Sequence, residues 1–167
     1  FYKRSGDLAW KKKTEDYVSG VDISGDGKSI AVGSFDRNVY LLNSKGEELW
    51  KYDTRDFVRS VAVSEEGDKV LAGTWNGDLV LLNKDGKALW TKRLSGNVLC
   101  VDMDRDGTLL AAGSMDKKVR LFDVSGKELW SFDTIPEKGH EGAWAVNDAT
   151  GRNMLRDIAA EKKQLAE

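Results

Sequence analysis

The sequence predicts an all-β repeat protein whose unit is a four-stranded antiparallel meander with a 40-residue period. The first observation is a motif, a glycine followed four residues later by a tryptophan, that recurs without any change of period. The second is that the apolar positions between these motifs recur in the same register, which is typical of a repeat architecture. The motif residues are Gly6, Gly46, Gly86 and Gly126, and Trp10, Trp50, Trp90 and Trp130.

Each repeat contains four short apolar segments separated by turn residues. In residues 57–90 the segments FVRSVAVS, KVLAGTW, LVLLN and KALWTKR are separated by EEGD, NGD and KDG. Segments of this length between turns rich in Gly, Asp and Asn indicate strands joined as hairpins. The second and third segments are apolar on successive residues, which favours a sheet buried on both faces. Such a four-stranded unit indicates the blade of a β-propeller.

The repeats resemble those of quinoprotein-type (PQQ-like) propellers and, in their inner half, the WD-repeat. The segment SIAVGSFDRNVYLLNSKGEELWKYDT carries the first resemblance, and VSGVDISGDGKSIAVGS carries the second. The first implies that the motif tryptophans stack on the next blade, where we expect them to be mostly buried. The WD-repeat's Trp-Asp pair is replaced, for example by Leu42-Asn43, so its hydrogen-bond tetrad cannot form as a set. The acid of its turn survives in part as Asp36, Asn76 and Asp116.

Three complete blades are predicted, at residues 17–50, 57–90 and 97–130. Residues 1–10 match positions 41–50. They are interpreted as a partial blade, the end of a third strand followed by a fourth strand. Residues 131–151 are typical of a degenerate partial blade, and 152–167 of a short C-terminal helix. The sequence therefore predicts an incomplete ring.

Three blades and two partial blades are an unusual number, because propellers close with about four to eight. The chain is either part of a larger propeller, one of two copies that share a ring, or a ring whose fourth blade is split between its ends. We favour the first two interpretations, and we expect a homodimer or further blades to complete the ring.

Composition and local motifs argue against several functions. The net charge of −2 does not indicate a nucleic-acid-binding surface, and no apolar run is long enough to span a membrane. Cys100 is the only cysteine, lies in an apolar segment and is expected to be a buried, inert thiol. Asp102-x-Asp104-x-Asp106-Gly107 begins like a calcium loop, but Gly113 stands where that loop needs a glutamate. We therefore expect a hairpin turn there and no metal site.

Candidate chemistry is otherwise sparse. His140 is the only histidine, and nothing in the sequence places it beside a serine as a catalytic triad requires. We predict no catalytic residue and no cofactor, and we expect a protein that is not an enzyme.

The predicted binding residues lie at one end of the blades. Large apolar residues occupy the turns between second and third strands, where polar residues are usual: Phe35, Trp75 and Met115. The loops that enter the first strands should emerge at the same end, with Tyr17, Phe57 and Asn97, and with Arg59 two residues further on. In WD-repeat proteins the matching positions commonly line the partner-binding surface. The leading hypothesis is a non-catalytic scaffold that binds a protein or peptide there. The alternative is a fragment of a quinoprotein-like or other propeller enzyme whose catalytic residues lie elsewhere.

Overall fold

The structure is a computed structural model and describes residues 1–2 and 4–134. This part of the chain contains twelve strands and no helix. The strands are β1 Val18–Ile23, β2 Ser29–Ser34, β3 Asn38–Asn43, β4 Glu48–Asp53, β5 Val58–Val63, β6 Lys69–Thr74, β7 Asp78–Asn83, β8 Ala88–Arg93, β9 Val98–Met103, β10 Leu109–Ser114, β11 Lys118–Asp123 and β12 Glu128–Asp133. Within the described residues there is also no helix that could cross a membrane.

The strands form three four-stranded antiparallel sheets, β1–β4, β5–β8 and β9–β12, each a meander in chain order. The predicted fold class is confirmed: the sheets are all-β propeller blades, and the described residues do not close a ring. The predicted helix at 152–167, and the predicted partial blade at 131–151 beyond Thr134, lie outside the described residues.

Residues 1–2 and 4–10 form the corner of a further hairpin. Tyr2 and Leu8 make an antiparallel bridge, as Leu42 and Glu48 do in the first sheet. The Phe1 ring stacks on Trp10 with centroids 5.3 Å apart. This corner therefore repeats the arrangement that joins the third and fourth strands of a sheet.

The core lies between neighbouring sheets. One buried cluster, which includes Val39 and Val58, fills the space between the first and second sheets, and another, which includes Leu79 and Val98, fills the next. A Cβ on Gly33 would lie 2.6 Å from Cγ1 of Val58, and Gly73 receives Val98 in the same way. A glycine on the second strand of one sheet thus makes room for a valine on the first strand of the next.

The motif tryptophans make the second contact between sheets, at the outer strands. The indole Nε1 of Trp50 donates a 2.9 Å hydrogen bond to the Lys84 carbonyl in the next sheet. A Cβ on Gly86 would lie 2.9 Å from the Trp50 ring, so the motif glycine receives the preceding tryptophan. Trp10 and Trp90 repeat the bond, to the carbonyls of Ser44 and Val124, each at 2.9 Å.

The motif tryptophans are covered over most of their surface, as expected. Trp10, Trp50, Trp90 and Trp130 are neither fully buried nor exposed. Trp50 and Trp90 pack against the buried clusters between the sheets. They are not fully enclosed, because they lie on the outer fourth strands, where most other residues are exposed.

Candidate partner-binding face

The turns between second and third strands meet the loops that enter the first strands at one end of the sheets. Three backbone hydrogen bonds fix this proximity: Phe35 donates to Tyr17 at 2.8 Å, Trp75 to Phe57 at 2.9 Å, and Met115 to Asn97 at 2.9 Å. We call these six residues, together with Arg59, the turn face. The structure thus brings all seven predicted binding residues to the same end.

Aromatic side chains are in contact along the first half of the turn face. Tyr17 packs edge-on against Phe35, with ring centroids 6.5 Å apart, and Phe35 lies 5.5 Å from Phe57 of the next sheet. Phe35 is half-buried between its two neighbours, whereas Tyr17 and Phe57 are exposed. In the other two turns, Trp75 and Met115 are exposed as well. Large apolar surface is therefore available at all three sheets.

The turns that carry these residues are tight hairpins with one left-handed residue. Their bonds run from Arg37 N to Ser34 O, Gly77 N to Thr74 O and Lys117 N to Ser114 O. Arg37, Gly77 and Lys117 have φ values of 75°, 95° and 69°. Only Gly77 also needs to lack a side chain, because a Cβ there would lie 2.8 Å from the Gly96 carbonyl oxygen. A hydrogen-bonded turn holds the apolar residue at each tip.

The turn acids are held in local hydrogen-bond networks. Asp36 accepts the Tyr40 hydroxyl at 2.7 Å and the backbone N–H groups of Glu15 and Asn38 at 3.0 Å each. Burial raises the pKa of Asp36, but these hydrogen bonds outweigh it, so the net shift is downward. The tryptophan of the WD-repeat's hydrogen-bond tetrad is absent here. In its place Tyr40, on the third strand, bonds the turn acid Asp36.

The third sheet uses an arginine at the position of Tyr40. Arg120 is buried and pairs with Asp116 through both terminal nitrogens. The hydrogen bond from Arg120 lowers the pKa of Asp116 to about 2, against a smaller opposing effect of burial. The pair ties the turn of Met115 to β11. Sequence reasoning missed it, because the three repeats carry different residues at this position.

A β-bulge lies in the first strand of each sheet. The register shifts between Val18 and Gly20 in β1, between Val58 and Ser60 in β5, and between Val98 and Cys100 in β9. Bulges leave one residue outside the ladder and change the direction of its side chain. The bulged residues are Ser19, Arg59 and Leu99.

The predicted calcium-like segment forms a hairpin turn. The Asp104 carboxylate accepts the backbone N–H groups of Thr108 and Leu109 and the Thr108 hydroxyl, at 2.7–3.0 Å. No group of three or more potential metal ligands occurs in the part of the chain that the structure describes.

Cys100 departs from expectation, since it is exposed rather than buried. The residue at the same position in the second sheet is Ser60, whose hydroxyl accepts a 3.1 Å hydrogen bond from Val101 of the third sheet. Cys100 would face a following sheet, and no such sheet lies within residues 1–134. Desolvation nevertheless raises the pKa of the thiol.

The Asp116–Arg120 pair gives a pH-dependent prediction. We expect Asp116→Asn to lower the free energy of unfolding at neutral pH by roughly 3 kcal/mol, because Arg120 keeps its charge in a buried position. The folded pKa of Asp116 is about 2, below the ordinary 3.8, so its contribution is complete above about pH 4 and is lost as the pH falls through 2. The difference between the two proteins should therefore shrink from pH 5 to pH 2 in urea titrations. Asp106→Asn, at an exposed position, is the control. A difference that stays constant over this range would contradict the assignment.

Comparison with known protein families agrees with this geometry. A family model described as outer membrane protein assembly factor BamB matches residues 36–157, more than half of the chain. A second model, described as WD domain, G-beta repeat, matches residues 10–43. No curated protein matches the chain. With its blade-like sheets and glycine–tryptophan contacts, the chain belongs to the PQQ-like β-propeller family whose description is outer membrane protein assembly factor BamB.

Proposed function

We propose that this chain is a non-catalytic scaffold that binds a protein or peptide on the turn face. The observation that carries the proposal is the exposure of large side chains at one end of the sheets. At the hairpin tips Trp75 is 45% exposed and Met115 58%, and in the loops that enter the first strands Tyr17 is 78% exposed and Phe57 44%. Exposed apolar clusters mark interaction surfaces, and Trp, Tyr and Arg are the residues that most often dominate binding energy. Because backbone hydrogen bonds tie these turns and loops together, the four residues would meet a partner with little loss of conformational entropy.

The family matches support a binding role. WD-repeats typically mediate protein interactions, and the match at residues 10–43 contains Tyr17 and Phe35 of the turn face. The description of the larger match is that of an assembly factor, which favours binding over catalysis. In the described residues, the carboxylates with lowered pKa values accept hydrogen bonds from nearby groups of the chain, as Asp36 and Asp104 do, so they stabilise the scaffold.

Affinity capture from a lysate of the source cells tests the turn face. The Trp75→Ala/Arg59→Ala double variant removes the two expected anchors, so proteins captured by the wild type should fall at least about tenfold in yield by quantitative mass spectrometry. The matched control is Glu66→Ala/Arg105→Ala, which changes two exposed residues in turns at the opposite end of the sheets. All three proteins must show the same melting temperature. Undiminished capture by the turn-face variant would overturn the proposal.

We also propose that another copy of the chain covers the free face of the first sheet. Val18 is 53% exposed, Val21 63% and Ile23 49%. The same positions in the second sheet, Val58, Val61 and Val63, are 0%, 6% and 7% exposed, because the first sheet packs on them. Burial of apolar surface contributes about 25 cal/mol per Å². The uncovered side chains of Val18, Val21 and Ile23 therefore favour assembly, either with a second copy or with further blades.

Light scattering on the 167-residue chain distinguishes these cases. We expect a mass near twice the 18.5 kDa of one chain, and a return to 18.5 kDa for Val21→Glu, which places a charge on the free face. Thr91→Glu, at an exposed position on β8, is the control and should leave the mass unchanged. A single-chain mass at every concentration would exclude the second copy as the occupant.

A further inference from the structure

Arg59 has a side-chain nitrogen that is buried without a partner. Its Nε is the only buried side-chain nitrogen or oxygen in residues 1–2 and 4–134 that lacks a hydrogen bond. The residue as a whole is half-buried, so its accessible surface belongs to its other atoms. A guanidinium carries five N–H donors, and a buried donor without an acceptor costs about 1–3 kcal/mol. The folded chain tolerates this cost at Arg59, one of the seven residues of the turn face.

The bulge in β5 is what places Arg59 there. It is the extra residue between Val58, which pairs with Thr74, and Ser60, which pairs with Gly73. The bulged residue of β1, Ser19, is satisfied within the chain, because its hydroxyl lies within hydrogen-bonding distance of the carbonyls of Val58 and Gly33 and can donate to either. The bulged residue of β9, Leu99, has no polar group to satisfy. Only the middle sheet therefore presents a charged group at this position.

Arg120 shows how this chain pairs a guanidinium that has a structural role. Arg120 is 8% exposed and makes ion pairs with Asp116 and Glu128. These two carboxylates compensate the positive charge of Arg120 within its own sheet. Arg59 makes no ion pair with any described residue, and the nearby Asp56 carboxylate accepts the backbone N–H of Asn76 instead.

The turns between second and third strands carry cations without an ion-pair partner. Arg37 and Lys117 are exposed there and pair with no described acid. The acids of these turns, Asp36 and Asp116, are occupied by hydrogen bonds from within their own sheets. The loops that enter the first strands carry both signs, with Glu15, Asp16 and Asp56 beside Arg55, so the positive excess belongs to the turns alone.

We propose that the segment bound at the turn face is acidic and that one of its carboxylates pairs with Arg59. The proposal rests on the proposed function, and it specifies the chemistry of the partner. A planar guanidinium binds a carboxylate through two parallel N–H···O bonds. Phe57 lies two residues before Arg59, and its carbonyl accepts the N–H of Trp75, so apolar surface adjoins the charged position. The partner segment that fits this surface therefore has an Asp or Glu beside a large apolar residue.

Peptide selection tests this chemistry directly. The immobilised 167-residue chain is used to select binders from a library of short random-sequence peptides, and the recovered peptides are titrated by fluorescence anisotropy. We expect Asp or Glu at a fixed position next to Trp, Phe or Leu. Arg59→Met should weaken binding about 10- to 100-fold, the range for a hydrogen bond to a charged group, and Arg59→Lys should restore part of it. Arg105→Met, which removes a charge at the opposite end, should leave binding unchanged.

Stability is a second readout. Because Arg59→Met removes an unpartnered donor, its melting temperature should equal or exceed that of the wild type, so weaker binding cannot be attributed to unfolding. Peptides that need Trp75 but carry no acid, and that bind Arg59→Met normally, would overturn this inference and leave the proposed function standing. If no selected peptide loses affinity in Trp75→Ala, the proposed function and the inference both fail.

Discussion

Two contacts that recur at a fixed spacing hold each sheet to the next. In one, a valine of a first strand fits against a glycine of the preceding sheet, as Val58 does on Gly33. In the other, a tryptophan of a fourth strand covers a glycine of the following sheet, as Trp50 does on Gly86. The first acts near the first strands and the second near the outer edge, so together they fix both the separation and the angle of neighbouring sheets. The strict 40-residue period follows, because both partners of each contact must recur together.

This way of packing also determines where function can reside. The faces of the sheets are used for packing on one another, which leaves the ends of the strands for recognition. At one end the polar segments Ser24–Lys28, Ser64–Asp68 and Asp104–Thr108 close the turns with their own hydrogen bonds. At the other end the turns carry Phe35, Trp75 and Met115, and the side chains of Trp75 and Met115 are exposed. These residues belong to the face on which the proposed function rests.

Most of the architecture could be predicted from the sequence, since the features that determine it are periodic. Glycine, tryptophan and valine recur at the packing positions, and turn residues recur between the strands, so both the strands and the end at which Trp75 lies follow from one repeat. Features that occur once could not be predicted. The Asp116–Arg120 pair replaces Asp36–Tyr40 in one sheet only, and the bulge at Arg59 has no common residue type, since Ser19 and Leu99 occupy the same position.

A double-mutant cycle between Trp50 and Gly86 tests most directly whether the tryptophan–glycine contact joins the sheets. Gly86→Ala has two costs: a residue with a side chain at φ 74°, and a clash of its Cβ with the Trp50 ring at 2.9 Å. The first, roughly 1 kcal/mol, persists without the tryptophan. The second disappears in Trp50→Ala. Urea unfolding of the four proteins should therefore give a coupling free energy of about 1–2 kcal/mol between the two positions. Additive effects, within about 0.5 kcal/mol, would show that the two residues do not hold the sheets together as described.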